Sequence, residues 1–321
     1  MSIIVFSENR NGKVKKQSLE TVAYAKNISN NISAPVVAVS IGDVSNDELA
    51  VLAEYGADKI IAVNNADWNT HDTKAYAKLM QEIAEKESAN VFVFSHTSMG
   101  KAIAPRLSVK LKAGLVSNIV ALPLAYSPMV FKRKTYNGGA FQQMTVKSEK
   151  CVITLNPNSC DIVKNEVAVN IEEYTPTAAE FATKVESQDL ITGKILLTEA
   201  SIVVSGGRGL KSGDNWGMIE ELASELEAGL ACSRPVSDEG WRGHEEHVGQ
   251  TGKIIAPDLY VAVGISGAIQ HIGGVSGSKV IVAIDKDKDA PIFKYADYGI
   301  VGDAFDVVPR LIESVKKFKA S

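Results

Sequence analysis

The sequence predicts an α/β protein of two domains, and three observations support this. Short apolar runs alternate with segments of helical period, which is the pattern of parallel sheets. The length of 321 residues exceeds that of a usual single domain. A Pro-, Thr- and Lys-containing stretch at 175–193 interrupts the pattern. We therefore expect a Rossmann-like N-terminal domain with a β-rich end at 1–185, a linker at 186–200 and a doubly wound parallel-sheet domain at 201–321.

The N-terminal series consists of four strand-helix repeats. Apolar runs rich in Val and Ile predict strands, and apolar residues at helical spacing predict the helices between them. The predicted strands are Ile3–Phe6, Val36–Ile41, Lys59–Val63 and Val91–Phe94. The predicted helices are Ser18–Asn27, Asp47–Tyr55, Thr73–Glu87 and Ala102–Leu111.

From Val116 onward the pattern becomes β-rich. The sequence Asn137-Gly138-Gly139 predicts a hairpin turn, because these residues adopt the positive φ angles that tight turns require. The alternating segments that flank the turn, and two later apolar runs, predict further strands. These are Met129–Tyr136, Ala140–Lys147, Cys151–Leu155 and Val167–Ile171.

A second series of alternating strands and helices follows the linker. Apolar runs of the parallel-strand type predict a buried sheet, and the last segment has the apolar stripe of a surface helix. The predicted strands are Ile202–Val204, Tyr260–Val263 and Val280–Ile284, and the predicted helices are Trp216–Glu227 and Ala304–Lys317.

Composition excludes several classes of function. A formal net charge of −4, without a long basic run, argues against nucleic acid as a partner. Three irregularly spaced cysteines support neither a disulfide framework nor a four-cysteine zinc site. The first residues enter a strand directly, with no targeting segment, and no apolar run reaches the roughly 18 residues that span a bilayer. We expect a cytoplasmic protein that does not insert into membranes.

The residues with distinctive chemistry lie in glycine-containing loops of the second half. Ser205–Gly209 reads SGGRG, in which glycines permit unusual backbone angles and Arg208 suits a phosphate. The spacing is not that of a GxGxxG fingerprint, so a structural turn and a binding turn both remain open. Gly249–Lys253 resembles a phosphate loop but lacks P-loop spacing. In Gly264–His271 a strand turns into a helix, whose first amides are suited to a pyrophosphate.

Two further segments invite a chemical interpretation. Cys232 is expected to be a small packing residue rather than a redox thiol. Arg234 follows it in a segment poor in charge, so it suits either a cation held over a ligand or a surface ion pair. His244–His247 reads HEEH, which does not match the HExxH spacing of zinc enzymes, and we expect a solvated loop there.

These motifs together resemble the α subunit of electron transfer flavoproteins. The resemblance runs from Ser201 to the C-terminus through SGGRGLKSGDN, CSRPVSDEGW, VGQTGKI, LYVAVGISGAIQH, KDAPIFKYADYGIVGD and VVPRLIESVKK. The block LYVAVGISGAIQH is the most specific of them. The first half is similar in its alternation of strands and helices and in the segment SHTSMGKAIAPRLS, and this similarity is far less diagnostic.

The resemblance implies that the C-terminal domain binds most of one FAD. Arg234 is then expected near the isoalloxazine face, Thr251 near the N5 and C4 carbonyl edge and His271 near the C2 carbonyl. A cationic or donor-rich setting there stabilises negative charge on the reduced flavin. The implied FAD-binding residues are Arg208, Ser233, Arg234, Val248, Gly249, Gln250, Thr251, Ser266, Gly267, Ala268, Ile269, Gln270, His271, Asp285, Asp303 and Ala304.

One position departs from the family pattern. The family has Asn where this chain has Asp285. A carboxylate accepts a hydrogen bond from a ribose hydroxyl but cannot donate one to a phosphate. If the Asn acts as a donor near the pyrophosphate, Asp285 weakens FAD binding.

The resemblance also implies an electron carrier without substrate turnover of its own. It implies an obligate β subunit, contacted by the N-terminal domain, that completes the flavin pocket. Electrons then come from flavin dehydrogenases, often acyl-CoA dehydrogenases of fatty acid β-oxidation, and pass to an acceptor such as a quinone reductase. Two alternatives remain open: an NAD-dependent enzyme with a related dinucleotide domain, and an adenine-nucleotide regulatory module. The combination of Arg234, Thr251 and His271 favours a flavin over a nicotinamide.

Overall fold

A computed structural model of the chain describes residues 1–70, 72–136, 139–177, 181–183, 185–187 and 195–320. The chain divides into two compact units, Met1–Thr135 with Gly139–Asp189, and Leu190–Ser321 with Tyr136–Gly138. Among the described residues, no helix has both the length and the apolar character needed to cross a membrane.

The N-terminal unit is a mostly parallel sheet with helices on both faces. Its strands are β1 Ser2–Ser7, β2 Asn9–Arg10, β3 Lys13–Val14, β4 Val36–Ile41, β5 Lys59–Val63, β6 Ala89–Ser95, β7 Gly114–Ile119, β8 Ala125–Tyr126, β9 Met129–Thr135, β10 Ala140–Thr145, β11 Cys151–Leu155 and β12 Ile171–Glu173. Its α-helices are α1 Lys16–Ile32, α2 Asn46–Glu54, α3 Thr73–Lys86 and α4 Ser98–Leu111.

The main sheet of this unit has the strand order β10-β9-β7-β11-β6-β1-β4-β5-β12, and β8 pairs with β9. The β9–β10 hairpin is antiparallel, and the remaining neighbours along the order from β7 to β12 are parallel. Buried apolar residues form one cluster on each face of the sheet. The expected α/β domain with a β-rich end is therefore confirmed, while the turn residues Asn137 and Gly138 lie outside the described part of the chain.

One predicted strand of this unit is wrong in position. Val167–Ile171 was expected to be a strand, but β12 begins only at Ile171. The Val167 amide donates instead to the Ala53 carbonyl at the end of α2. This hydrogen bond, together with one from the Asn165 amide to the Glu54 carbonyl, takes the place of the strand ladder that the apolar pattern suggests.

The C-terminal unit is a parallel five-stranded sheet. Its strands are β13 Ile202–Gly206, β14 Gly229–Cys232, β15 Leu259–Val263, β16 Val280–Asp285 and β17 Tyr298–Val301, in the order β14-β13-β15-β16-β17. Its α-helices are α5 Gly217–Glu225, α6 Arg234–Asp238, α7 Ile269–Val275 and α8 Ala304–Ala320. Separate apolar clusters cover the two faces, which confirms the doubly wound arrangement.

The predicted linker at 186–200 includes residues 188–194, which lie outside the described part of the chain. Leu197 and Ala200, close to its end, are buried and pack in the core of the C-terminal unit. On the N-terminal side, the Asp72 side chain accepts hydrogen bonds from the amides of Ala182 and Thr183. Residues just before the predicted linker are thus bonded to the N-terminal unit, and its last residues pack in the C-terminal unit.

Candidate functional site

The candidate site lies at the carboxyl edge of the C-terminal sheet. Because all five strands are parallel, the loops that follow them meet at one edge, where ligands of open α/β sheets bind. Main-chain hydrogen bonds join successive loops: the Ser233 amide donates to the Gly206 carbonyl and the Gly302 amide to the Asp285 carbonyl. The predicted site residues therefore belong to one connected group of loops.

The glycines of the SGGRG turn allow two loops to touch. The Gly207 amide donates to Val263 O at 2.8 Å, and the Gly209 amide donates to Gly264 O at 3.0 Å. A Cβ atom on Gly207 would lie 2.1 Å from the Gly264 carbonyl oxygen, so no larger residue fits. The close contact between these loops requires glycine, so the turn has a structural role whether or not it also contacts a ligand.

Arg208 and Arg234 lie at this edge with exposed side chains. The Arg208 guanidinium is 3.9 Å from a Glu239 carboxylate oxygen, and Arg234 Nε is 3.2 Å from Asp238 Oδ2. Exposed pairs of this kind are weak, so both guanidinium groups can turn to an anionic ligand at little cost. Ser233 is buried at the N-cap of α6, and its side chain makes no capping hydrogen bond.

The segment Val248–Thr251 lies beside α7. The Val248 amide donates to the Cys232 carbonyl at 3.0 Å, and the Gln250 amide donates to the Gln270 carbonyl at 2.8 Å. Val248 is fully buried, whereas the side chains of Gln250 and Thr251 are exposed. The main chain is thus fixed while two polar side chains face outward.

The loop after β15 is shaped by Gly264 and Gly267, both with positive φ angles. A Cβ atom on Gly267 would lie 2.5 Å from the Ile292 amide nitrogen, so this turn excludes side chains. Ser266, Ala268, Ile269 and Gln270 are exposed. The helix that follows, α7, is short, with seven residues.

His271 faces inward from α7. Its Nε2 atom lies 2.8 Å from the Tyr260 hydroxyl, and only 6% of the residue is exposed. Burial is the main cause that lowers the pKa of His271 to about 4; a hydrogen bond with the Val248 main chain opposes this, and the nearby His247 adds a smaller lowering effect. The imidazole is therefore neutral near pH 7. Nδ1 has no hydrogen bond of good geometry with a described residue.

Asp285 is the last residue of β16, Asp303 lies between the end of β17 and the start of α8, and Ala304 is the first residue of α8. Asp285 Oδ1 accepts from the Asp287 amide at 2.9 Å, and Asp303 Oδ1 accepts from the Phe305 amide at 3.0 Å at the start of α8. Ala304 is buried in the helix. One carboxylate oxygen of each Asp is thus used in a local turn.

The expectation of a solvated loop at His244–His247 is confirmed for His244 and Glu245, which are exposed, and is wrong for the next two residues. Glu246 and His247 are buried, and Arg242 binds Glu246 through Nε at 2.6 Å and Nη2 at 2.9 Å. Arg242 also pairs with Glu220 and lies over the Trp216 ring. The sequence indicated exposure because several charged residues lie close together in this segment. The bidentate pair between Arg242 and Glu246 makes the burial of Glu246 possible. Among the described residues, no group of three or more His, Cys, Asp or Glu could hold a metal ion.

Two other residues complete the description. Cys232 is fully buried, as expected of a packing residue, and burial raises the pKa of its thiol to about 12. Tyr260, the partner of His271, was not among the predicted site residues. Its only local signal is a hydroxyl group within an otherwise apolar strand, since a buried tyrosine usually requires a polar partner.

The chain matches two family profiles. The electron transfer flavoprotein domain matches residues 3–180, and the electron transfer flavoprotein FAD-binding domain matches residues 196–276. The second profile covers β13 to α7, which hold most of the predicted site residues. The cofactor of this unit is therefore FAD.

Three curated relatives cover almost the whole chain. It is 37% identical over 318 residues to the electron transfer flavoprotein subunit alpha of Bacillus subtilis (98% of this chain and 97% of that one). It is 38% identical over 317 residues to the subunit alpha of Pseudomonas aeruginosa (98% and 100%). It is 33% identical over 323 residues to protein FixB of Clostridium saccharobutylicum (98% and 96%).

The residues at the carboxyl edge fit FAD on two counts. The exposed Arg208 and Arg234 supply positive charge for a phosphate-containing ligand. The exposed hydroxyl groups of Thr251 and Ser266 supply hydrogen-bond donors for its polar groups. This chain belongs to the electron transfer flavoprotein α-subunit family, because the two family profiles together span most of it and the relatives match it from end to end.

Proposed function

We propose that this chain binds FAD with the residues of the carboxyl edge and carries electrons between a flavin dehydrogenase and a downstream acceptor. The observation that carries the proposal is the convergence of the loops after β13 to β17 within the FAD-binding domain. When bound, FAD supplies one-electron and two-electron redox chemistry. The protein supplies binding, orientation and electrostatics.

The proposed binding residues divide by chemistry. Arg208 and Arg234 provide guanidinium groups whose present partners are exposed carboxylates. Thr251 and Ser266 provide exposed hydroxyl groups, and His271 provides a neutral imidazole. A neutral imidazole stabilises negative charge by donating a hydrogen bond rather than by carrying a charge. The arginines are then the groups that supply positive charge.

Membership in this family implies a β-subunit partner. We propose that the N-terminal unit contacts this subunit, that the heterodimer is obligate, and that the β subunit completes the flavin pocket. The exposure of Gln250, Thr251 and Ile269 supports this, because a bound flavin needs more cover than these side chains provide. We further propose a cytoplasmic location and a role as a carrier rather than an enzyme.

The proposed electron donors are acyl-CoA dehydrogenases of fatty acid β-oxidation, and the proposed acceptor is a quinone reductase. The test is anaerobic mixing of the purified heterodimer with a substrate-reduced acyl-CoA dehydrogenase while the visible flavin bands of the heterodimer are followed. Rapid bleaching supports this donor class. No bleaching by the dehydrogenase, with full bleaching by dithionite, contradicts it and leaves FAD binding intact.

A further inference from the structure

The buried side chain of His247 lies against the turn that carries Gln250 and Thr251. Only 7% of this histidine is exposed. A Cβ atom built on Gly252 would lie 2.8 Å from both Cγ and Nδ1 of the His247 ring, and one built on Gly249 would lie 3.4 Å from Nε2. The ring therefore lies close to the main chain at both ends of the turn, in space that only glycine leaves open.

The turn itself is closed by a main-chain hydrogen bond. The Gly252 amide donates to the Gly249 carbonyl at 3.1 Å. Gln250 and Thr251 occupy the two central positions between them, and both are exposed. The direction in which these two side chains point thus depends on what holds the ends of the turn.

Helix α7 holds the first half of the turn. The Gln250 amide donates to the Gln270 carbonyl of this helix at 2.8 Å. A Cβ atom built on Gly273 would lie 2.8 Å from Gln250 Cγ, so the glutamine side chain also lies close to α7. Thr251 belongs to the second half, which is the end that the His247 ring approaches most closely.

The His247 ring supports the turn by its volume. Burial lowers the pKa of His247, and the positive charge of Arg234 lowers it as well, against an opposing effect of Asp238. The imidazole is therefore uncharged near pH 7. Removal of a buried ring leaves a space that the neighbouring atoms fill only in part, so the main chain beside it gains freedom to move.

We propose that His247 is a positioning residue of the FAD site, whose ring supports the main chain at Gly252 and thereby holds the Thr251 hydroxyl in place for the cofactor. The inference rests on the proposed FAD site. His247 is not among the residues expected to contact FAD, and it acts through the turn. A binding group is effective only when packing around it fixes its position, and His247 supplies that packing.

The test compares His247→Ala and His247→Phe in the heterodimer of the full-length chain with its β subunit. Alanine removes the ring, whereas phenylalanine keeps a flat ring without the two nitrogen atoms. Titration of the flavin-free heterodimers with FAD is expected to give a dissociation constant about tenfold or more above that of wild type for His247→Ala, and within about threefold of it for His247→Phe.

His244→Ala is the matched control. His244 lies three residues earlier in the same segment, is exposed, and has Nδ1 2.8 Å from the Ser237 hydroxyl oxygen. Its removal deletes the same ring at a position that does not support the turn. This variant is expected to bind FAD as tightly as wild type.

Hydrogen exchange of the flavin-free heterodimer provides the second readout. In His247→Ala the Gly252 amide, which donates within the turn, is expected to exchange about tenfold or more faster than in wild type. The Gln250 amide is expected to keep its wild-type rate, because its acceptor lies on α7. A general loss of stability would instead accelerate both amides alike.

An FAD affinity of His247→Ala equal to that of wild type would overturn the inference. Equal weakening by His247→Phe and His247→Ala would overturn it as well, because the role would then belong to the ring nitrogens. Equal acceleration of the Gly252 and Gln250 amides would also contradict it. Failure of the wild type to bind FAD is a different result, which contradicts the proposed FAD site while hydrogen exchange still tests the support of the turn.

Discussion

The Tyr260 hydroxyl lies 2.8 Å from His271 Nε2 and joins the central strand of the C-terminal sheet to the short helix beside the candidate site. The two residues are eleven positions apart in sequence, on different elements. Both are buried, so the pair is shielded from water. We expect the burial of His271 in this pair to affect how the stability of the C-terminal unit depends on pH.

Acid pH is expected to destabilise the C-terminal unit through His271. Its pKa is lowered from 6.5 to about 4, so between these pH values the unfolded chain binds the proton and the folded one does not. Stability is therefore complete above pH 6.5 and decreases as the pH falls toward 4, by about 3 kcal/mol at most. Urea unfolding of wild type and His271→Gln across this range measures the effect. An unchanged pH slope in the variant would contradict it.

Asp72 is expected to stabilise the N-terminal unit strongly. Its carboxylate accepts from the amides of Lys74 and Ala75 at the start of α3 and from those of Ala182 and Thr183. Burial alone would raise the pKa of Asp72, but these four amides lower it below 3.8. The stabilisation is present above this pH and is lost as the pH falls through the native pKa.

Asp72→Ala is expected to cost about 2 to 4 kcal/mol of unfolding free energy. The matched control is Ser45→Ala, which removes a single cap contact, from the Glu48 amide at 3.3 Å, and is expected to cost about 1 kcal/mol. Chemical denaturation of both variants measures the two losses of unfolding free energy. Equal losses would mean that the contacts of Asp72 to 182 and 183 contribute nothing.

Glu20 is expected to hold the loop after β11. Its buried carboxylate accepts from the amides of Asn158, Ser159 and Cys160 at 2.8 to 3.0 Å. Glu20→Gln replaces one acceptor oxygen by a donor that faces amide N–H groups, at a cost of about 2 to 4 kcal/mol. Glu54→Gln, which breaks an exposed pair with Lys164, is the control and is expected to have no measurable effect. Hydrogen exchange at 158–160 that is equally slow in Glu20→Gln and wild type would argue against this role.

Gly267→Ala is expected to disrupt the turn before α7. Its φ of 83° and the 2.5 Å approach of a Cβ atom to the Ile292 amide nitrogen both oppose a side chain. A loss of about 2 to 4 kcal/mol and weaker FAD retention are expected. Gly217→Ala is the control, because Gly217 has helical angles and no atom within 4 Å of its Cβ position. If both variants retain FAD equally, the turn does not shape the site.

Asp285→Asn is expected to tighten FAD binding several-fold, because it removes a negative charge from the carboxyl edge. The amide oxygen of Asn can still accept from the Asp287 amide, so the local turn is kept. Asp287→Asn makes the same charge change two residues along, in a turn of the same kind, and serves as the control. Titration of the flavin-free heterodimer with FAD gives the two dissociation constants. A value for Asp285→Asn equal to that of wild type would show that the carboxylate does not repel the cofactor.

The strands with long apolar runs could be predicted from sequence, and the short ones could not. β1, β4, β5, β13, β15 and β16 were expected within a few residues of their observed bounds. β14, with the sequence Gly-Leu-Ala-Cys, is four residues long and lacks β-branched side chains, so nothing local marked it as a strand. β17, Tyr298–Val301, is exposed along its whole length at the edge of the sheet, and its pairing with β16 depends on tertiary structure.

The residues of the candidate site were proposed from motifs alone and stay a prediction, and the contacts among them could not be predicted from sequence. The glycine turns marked which loops belong together, because positive φ angles and close approaches leave a sequence signal at Gly264 and Gly267. The pairing of His271 with Tyr260 leaves no such signal, since it joins different elements. The burial of Glu246 also depends on an arginine, Arg242, whose contact cannot be distinguished in sequence from a surface pair.

The most direct test of the proposed FAD carrier is the visible absorbance spectrum of the chain purified with its β subunit, followed by chromatographic identification of the released cofactor. A chain that binds FAD with its β subunit is expected to show the spectrum of an oxidised flavin. About one FAD per heterodimer would fit a simple carrier, and two would indicate a bifurcating one. A colourless complex that takes up no added FAD but binds NAD would contradict the central claim and favour a nicotinamide-dependent enzyme.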